Sequence, residues 1–199
     1  MAEGYQIRDQ YKPHFVTFTV TNWVDVFTRP VYKQVVIDSL QYCQKHKGLI
    51  IYAYVIMSNH IHLILQSEYG TLSDTIRDMK RHIATTILKL IKQEPESRKE
   101  WMLKRFEFAA NATNNNDNFK FWNNGNHPEE IFSDDFFWSK INYIHLNPVR
   151  QQIVEKASHY IHCSASNYIL GKGLIDIIIL PSPHIFVNNN TLKIDYELW

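Results

Sequence analysis

The sequence predicts an α+β domain with ferredoxin-like, split βαβ topology, in which helices cover one face of an antiparallel sheet. Two observations lead to this fold class. Strand-like and helix-like segments follow in the order strand, helix, strand, strand, helix, strand, helix, and the apolar spacing within each segment distinguishes the two types. We expect residues 1–170 to form this domain. Residues 171–199 should form a C-terminal extension, with a strand at Ile175–Leu180 and then a tail or an interface arm.

The first strand and the first helix are marked by residue type and by their boundaries. Phe15–Thr21 consists of β-branched and aromatic residues and predicts a strand. Pro30 opens a helix, in which apolar residues recur at helical spacing. Gly48 is expected to end this helix, because glycine readily adopts the left-handed conformation of a C-terminal cap.

A β-hairpin and a second helix are expected next. Leu49–Ile56 and His60–Gln66 predict two buried strands, joined by a short turn. Thr71–Asp74 matches a capping box, in which side chains bond the first free backbone N–H groups of a helix. An amphipathic helix with a continuous apolar stripe is expected to follow it to about Lys92.

The second half of the chain is less regular. Residues 111–126 are rich in asparagine and predict an exposed loop, with a short strand at Phe119–Trp122 inside it. Ser133 precedes two aspartates, a pattern typical of a helix N-terminus. This last helix should carry Tyr143 and end near Asn147, because Pro148 disfavours helical geometry in the residue before it.

Composition indicates a globular protein that does not span a membrane. Apolar residues make up 45% and charged residues 21% of the 199 residues, which is typical of a domain with a packed core. No apolar run approaches the roughly 20 residues that cross a bilayer, and the N-terminus lacks the apolar stretch of a signal peptide. We therefore expect a cytoplasmic protein. Cys43 and Cys163 are too few for a disulfide framework.

The distribution of charge leaves nucleic-acid binding open. The net charge is +1, but residues 71–105 hold nine basic and five acidic side chains. That segment is therefore positively charged, and the remainder of the chain is slightly negative. Such a segment is typical either of a phosphate-binding surface or of an ordinary solvated helix face.

His60 and His62 form the first candidate site. Alternate residues of a strand share one face, so both imidazoles project side by side from the predicted strand. Two neutral imidazoles at this spacing are suitable ligands for a divalent cation. The alternative is that the two histidines merely share a sheet face, because two ligands alone do not make a metal site.

Tyr143 and Asn147 form the second candidate site, on the last predicted helix. They are four residues apart, so their side chains lie on one face about one turn apart. Asn147 offers a carbonyl oxygen, a ligand that suits Mg²⁺ or Mn²⁺. Tyr143 offers a phenol that a nearby cation could help to ionise. The alternative for a helical tyrosine is an ordinary packing role.

Longer motifs surround both candidate sites. The stretch Tyr54–Ile64, YVIMSNHIHLI, resembles the signature of the single-tyrosine HUH transposases, named for a His–hydrophobic–His pair. The stretch Asn142–Arg150, NYIHLNPVR, resembles a sequence block of the REP-associated tyrosine transposases, a branch of that family. Phe15–Phe27 and Phe121–His127 resemble two further family segments. The resemblance covers residues 11–170.

The resemblance implies a transposase that cuts and rejoins single-stranded, hairpin-bearing DNA with a divalent cation, Mg²⁺ or Mn²⁺. It implies that His60 and His62 are metal ligands, that Asn147 completes the metal site, and that Tyr143 is the nucleophile. Attack by Tyr143 would give a 5′-phosphotyrosine that conserves the energy of the phosphodiester for rejoining. Many relatives carry glutamine at the position of Asn147, and the shorter asparagine acts either directly or through a bridging water. Relatives act as monomers or as homodimers, and both arrangements stay open.

Seven further side chains are candidates for supporting roles, with an ordinary surface or packing role as the alternative for each. They are Lys140, Arg77, Lys80 and Arg81 for phosphate or backbone contacts, Trp122 and His127 for an unpaired base, and Gln66 as a hydrogen-bond partner of a metal ligand.

Other functions remain to be weighed. A domesticated family member would bind structured nucleic acid without mobilising it, although intact His60, His62 and Tyr143 argue against that. A metal-dependent phosphoesterase with a His-x-His pair would need further carboxylate or histidine ligands and would not require a tyrosine. A rolling-circle nuclease or relaxase would share the chemistry but lack the NPVR block.

Overall fold

The computed structural model describes residues 6–112, 118–181 and 196–199. The helices and strands with their bounds are β1 (His14–Thr19), α1 (Pro30–Lys47), β2 (Leu49–Ile56), β3 (His60–Ser67), α2 (Leu72–Gln93), α3 (Lys99–Asn111), β4 (Glu129–Glu130), α4 (Asp134–Arg150) and α5 (Ala165–Leu170). The sheet has the order β2-β3-β1-β4 and is antiparallel throughout. This order confirms the predicted ferredoxin-like, split βαβ topology.

Two apolar clusters cover the two faces of this sheet. One cluster joins β1 and β3 to α1, α2 and α3 through residues such as Phe18 and Leu63. The other joins the opposite sheet face to α4 through residues such as Phe15, Ile64 and Ile144. The crossover helices thus lie on one face, as predicted, and the tyrosine helix covers the other. His60, His62 and Ile64 are alternate residues of β3 and therefore lie on the same sheet face, the one that α4 covers.

An irregularity in β2 lets both faces of that strand bury apolar side chains. The pairing with β3 shifts between Ile51 and Ala53, which leaves Tyr52 as an extra residue. Ile51 and Tyr54 therefore face the α1 side, whereas Ala53 faces the α4 side. The strand that supports the histidines is consequently packed on both sides.

The predicted boundaries of the first helix and of the hairpin are confirmed. Pro30 is the first residue of α1, and Gly48 ends it with a φ of 60°. A side chain at Gly48 would be strained by this φ and would also collide with the Tyr69 ring. The hairpin strands β2 and β3 flank a turn closed by the hydrogen bond from Met57 N to His60 O.

Three local expectations about regular structure are wrong, and one helix, α3, is not predicted by the sequence. The helix α4 continues to Arg150 with Pro148 inside it. Phe119–Trp122 forms only a single bridge, from Trp122 to Val20, and Ile175–Leu180 is not a strand. Pro148 is tolerated in the last turn because it is buried in the core and because backbone bonds resume at once, from Gln151 N to Asn147 O and from Ile153 N to Pro148 O.

The N-terminus of α2 is capped differently from the prediction. The helix begins at Leu72, but the Thr71 side chain makes no capping hydrogen bond. Instead the Gln10 side-chain oxygen accepts a hydrogen bond from Ser73 N. A side chain from a distant part of the chain therefore satisfies a donor that the local motif was expected to satisfy.

The segment after α5 runs back across the fold. Gln41 on α1 donates a hydrogen bond to Leu174 O, and Ile178 N donates to Ile51 O on β2. Trp199 is buried against α4, with its N–H bonded to Asn142. The rest of the predicted tail, residues 182–195, lies outside the described residues. Both cysteines are buried and free. Within the described ranges, no helix is both long and apolar enough to cross a membrane.

Candidate active site

Three elements bring the candidate residues together. His60 and His62 lie at the start of β3, and β1 pairs with them in register, with Thr17 opposite His62. The helix α4 crosses this sheet face and places Tyr143 over the histidines. The Tyr143 hydroxyl lies 3.5 Å from His62 Nε2, and the His60 and His62 ring centroids are 4.7 Å apart. The structure thus joins two motifs that are about eighty residues apart in sequence.

His62 is held from both sides. Its Nδ1 lies 2.8 Å from the Thr17 hydroxyl, and Phe15 stacks on the imidazole at 5.5 Å between ring centroids. In the tautomer in which Nδ1 donates a hydrogen bond to Thr17, Nε2 keeps its lone pair on the side of Tyr143. Hydrogen bonding at one imidazole nitrogen is the usual way in which a protein orients a metal-binding histidine.

The tautomer of His60 follows from a chain of three side chains. The Asn59 side-chain nitrogen donates to the Asp25 carboxylate over 2.9 Å, which fixes the orientation of the amide. The Asn59 oxygen must then face His60 Nδ1, 2.8 Å away. Because that oxygen only accepts hydrogen bonds, Nδ1 of His60 carries the proton and Nε2 keeps its lone pair.

Asn147 lies close to the histidines on α4. Its side chain is 7% exposed and makes a hydrogen bond with His60. Its side-chain oxygen also lies 3.5 Å from the Gln151 amide nitrogen. Asn147 is therefore placed where its amide oxygen could join the two imidazoles as a third ligand.

Burial keeps both imidazoles neutral. Burial lowers the pKa of His60, partly offset by the hydrogen bond with Asn147 and by the Asp25 charge. Burial lowers the pKa of His62 to about 3, with smaller contributions from the repulsion that a protonated His62 would feel from a protonated His60 and from Lys140. Neutral imidazoles are the form that binds metals, so no proton has to be displaced at neutral pH.

These residues fit a divalent cation that keeps open coordination positions. Among the described residues, no group of three or more His, Cys, Asp or Glu side chains could hold a metal ion. The available donors are therefore two imidazole nitrogens and the Asn147 amide oxygen. Such a neutral donor set leaves room for water or for a phosphate oxygen, in contrast to a closed structural site.

Two cationic side chains stand beside the tyrosine. Lys140 lies 4.4 Å above the Phe15 ring centroid and forms an ion pair with Glu129 at 2.8 Å. The Arg150 guanidinium lies 5.6 Å from the centroid of the Tyr143 ring. Arg150 was not singled out from the sequence, although it closes the NPVR block. Tyr143 itself is 40% exposed, so a substrate can approach it from solvent.

The other predicted contact residues are not brought to this site. Arg77, Lys80 and Arg81 lie on α2, which packs on the opposite sheet face. Arg77 forms ion pairs with Asp74 and Asp78. Burial lowers the pKa of Lys80 to about 8, and Lys80 bonds to Asn126.

The two predicted base-stacking residues differ in exposure. Trp122 is 9% exposed and donates its indole N–H to Lys80 O. His127 is exposed, in a loop with a φ of 43°. Gln66 bonds to Tyr52 and to Tyr11 O rather than to a histidine.

Sequence reasoning missed the side chains that orient the histidines. Thr17 became visible only through the register of β1 against β3, and Asp25 only through the fold of the segment after β1. Asn59 lies in the short turn that the sequence predicts between β2 and β3. A polar residue directly before the first histidine is the one signal that could have pointed to it.

Comparison with known proteins identifies a family and a shared fold. The family model described as "Transposase IS200 like" matches residues 8–115, which contain both histidines. A solved structure described as a REP-associated tyrosine transposase bound to a REP hairpin matches with a TM-score of 0.59 and 15% sequence identity. That match covers 97% of this chain and 100% of the other. No curated protein sequence matches significantly.

Proposed function

Because the chain belongs to the IS200-like transposase family, we propose that it cuts and rejoins single-stranded DNA, with a divalent cation at His60 and His62 and with Tyr143 as nucleophile. The observation that carries this proposal is the distance of 3.5 Å between the Tyr143 hydroxyl and His62 Nε2. Both residues belong to the same chain, which supports an active site built from a single subunit. The alternative, a shared site in a homodimer, is not needed to assemble these residues.

The proposed roles follow from the chemistry of each side chain. His60, His62 and Asn147 would hold the cation, Mg²⁺ or Mn²⁺, which supplies a Lewis acid that neutralises charge on the scissile phosphate. Asn147 would act either directly or through a bridging water. Arg150 would hold the Tyr143 phenol in place, because its guanidinium packs against the ring.

Cleavage and joining are the two directions of one exchange. The Tyr143 oxygen forms a bond to phosphorus, and the bond from phosphorus to the 3′ oxygen breaks. The phenol proton passes to solvent, and the leaving 3′ oxygen takes up a proton. The product is a 5′-phosphotyrosine, and attack by another 3′-hydroxyl would release Tyr143 and restore a phosphodiester without an external energy source.

Hairpin-bearing DNA is the proposed partner. The structural neighbour is described as bound to a REP hairpin, and this chain shares its fold. We propose that this protein likewise recognises a hairpin with single-stranded flanks.

Formation of a covalent adduct tests the proposal. Labelled single-stranded hairpin DNA from the flanks of the gene should form a denaturation-resistant adduct with the wild-type protein when Mn²⁺ or Mg²⁺ is present. The adduct should disappear in EDTA and in Tyr143→Phe. Tyr42→Phe is the matched control, because Tyr42 is exposed on α1, on the other side of the sheet.

The outcomes separate the alternatives. An adduct that survives in Tyr143→Phe would remove Tyr143 from the mechanism. DNA binding without any adduct would identify a domesticated binding protein. Release of phosphate from a small phosphoester, equally fast in Tyr143→Phe, would identify a metal-dependent phosphoesterase.

A further inference from the structure

Trp23 is the most exposed large aromatic residue beside the histidines. Its side chain is 61% exposed, and its ring lies 6.0 Å from the His60 ring, centroid to centroid, in an edge-on arrangement. The Trp23 carbonyl also accepts a hydrogen bond from Asn59, the residue that orients His60. The indole thus stands at the rim of the site, beside His60.

The backbone is strained to present this ring. Asn22 and Trp23 both have a φ of 55°, a conformation that costs free energy for residues with a side chain. The strain persists because the flanking residues Val20 and Val24 are buried in the core. Strained backbone that is held by its surroundings, and that carries an exposed apolar side chain, is typical of a ligand site.

We propose that Trp23 is the stacking platform for the unpaired base next to the scissile phosphate. Base–aromatic stacking is sequence-tolerant and is a common way of gripping single strands. Trp122, the tryptophan that the sequence pointed to, is buried and its N–H is bonded inside the fold. Trp23 therefore offers what Trp122 does not, an open aromatic face beside the cation ligands.

The stacked base sets the position of the strand. A phosphate held near His60 and His62 brings its neighbouring nucleotide within reach of a ring 6.0 Å from His60. Stacking of that base on Trp23 fixes which phosphate faces Tyr143. This inference rests on the proposed function, because it takes the histidine pair as the place where the scissile phosphate binds.

Binding measurements in a Tyr143→Phe background test the inference without cleavage. The first probe is a DNA hairpin with a single-stranded flank, taken from the sequence around the gene. A matched series of probes carries one abasic nucleotide at successive positions of that flank. Trp23→Ala should weaken binding of the intact probe by about 10- to 100-fold. The control Tyr42→Ala removes another exposed aromatic residue, 57% exposed on α1, and should leave the affinity unchanged.

The abasic series identifies direct stacking. At one position of the flank, the abasic probe should bind protein that has Trp23 as weakly as the intact probe binds the Trp23→Ala variant. The same abasic probe should bind the Trp23→Ala variant no more weakly than the intact probe does. Trp23→Gly should weaken DNA binding as much as Trp23→Ala does. The midpoint of its thermal unfolding should not fall, because glycine adopts the positive φ without strain. A residue with a purely structural role would not separate affinity from stability in this way.

Two results would overturn the inference. One is an affinity of Trp23→Ala equal to that of Tyr42→Ala, and the other is an abasic penalty that is the same with and without Trp23. If the proposed function itself were wrong, the wild-type protein would form no covalent adduct with DNA through Tyr143. That outcome is measured in the separate adduct reaction.

Discussion

His60 donates a hydrogen bond from Nδ1 to the side-chain oxygen of Asn59 over 2.8 Å. Asn59 in turn donates to Asp25, which prevents the amide from turning its nitrogen toward the ring. A residue outside the His-x-His motif therefore determines which nitrogen of His60 is free to bind a cation. The proposed metal site would therefore depend on Asn59 and Asp25, two side chains that would not bind the cation themselves.

Asn59→Ala should weaken cation binding, because His60 Nδ1 loses its acceptor and the ring is free to change tautomer. The expected loss is about 10- to 100-fold in Mn²⁺ affinity, measured by calorimetry or by the electron paramagnetic resonance signal of free Mn²⁺. Asp25→Ala should cause a smaller loss. Gln34→Ala removes another exposed side-chain amide, on α1, and should bind Mn²⁺ as the wild type does. Equal affinity in Asn59→Ala would contradict the orienting role.

Arg150→Gln should slow adduct formation about two- to fivefold while Mn²⁺ affinity stays the same. The guanidinium lies over the Tyr143 ring, and this cation–π contact helps to hold the phenol in place. The measurement is the single-turnover rate of adduct formation at saturating Mn²⁺. Arg150→Lys should recover part of the rate. An unchanged single-turnover rate in Arg150→Gln would exclude the proposed effect of Arg150 on Tyr143.

The free energy of unfolding should fall as the pH is lowered from 7 to 5. Burial lowers the pKa of His145 to about 3 and, helped by the Lys33 charge, that of His162 to about 4. In the unfolded chain histidine titrates near 6.5, so below that pH the unfolded state binds more protons. The stability that these neutral imidazoles contribute is therefore complete above pH 6.5 and is lost toward the folded-state pKa values.

His145→Leu should make this pH dependence shallower by about 1.4 kcal/mol per pH unit below 6.5. The measurement is urea unfolding at several pH values, compared with His162→Gln, which removes a less buried histidine. A slope in His145→Leu as steep as in the wild type would show that His145 is not held neutral in the folded state.

Trp122→Ala should destabilise the fold by about 3–5 kcal/mol, because it opens a cavity beneath Phe18 and Phe27. Its N–H bond to Lys80 O is lost as well. Thermal unfolding reports this loss, and Trp23→Ala is the natural comparison, with little expected change in midpoint. If Trp122→Ala kept the wild-type midpoint but lost DNA affinity, Trp122 would be a binding residue.

Local patterns were sufficient to predict much of the fold. Alternating and helical apolar spacing predicted β2, β3, α1 and α2, since these patterns arise from the geometry of each element alone. The same alternation placed His60 and His62 on one face, and the four-residue spacing placed Tyr143 and Asn147 on one side of α4. The sequence thus predicted which side chains the candidate site contains, namely His60, His62, Tyr143 and Asn147.

Tertiary structure decided which of these groups meet and which side chains support them. The helix α4 continues through Pro148 because this residue is buried and because backbone hydrogen bonds resume directly after it. Trp122 and Lys80 pack against Phe18 of β1. Thr17 reaches His62 because β1 pairs with β3 in one register, and the fold of the segment after β1 brings Asp25 to Asn59 and Trp23 to His60. Contacts between segments that are distant in sequence depend on how sheet and helices pack, and no local pattern records that packing.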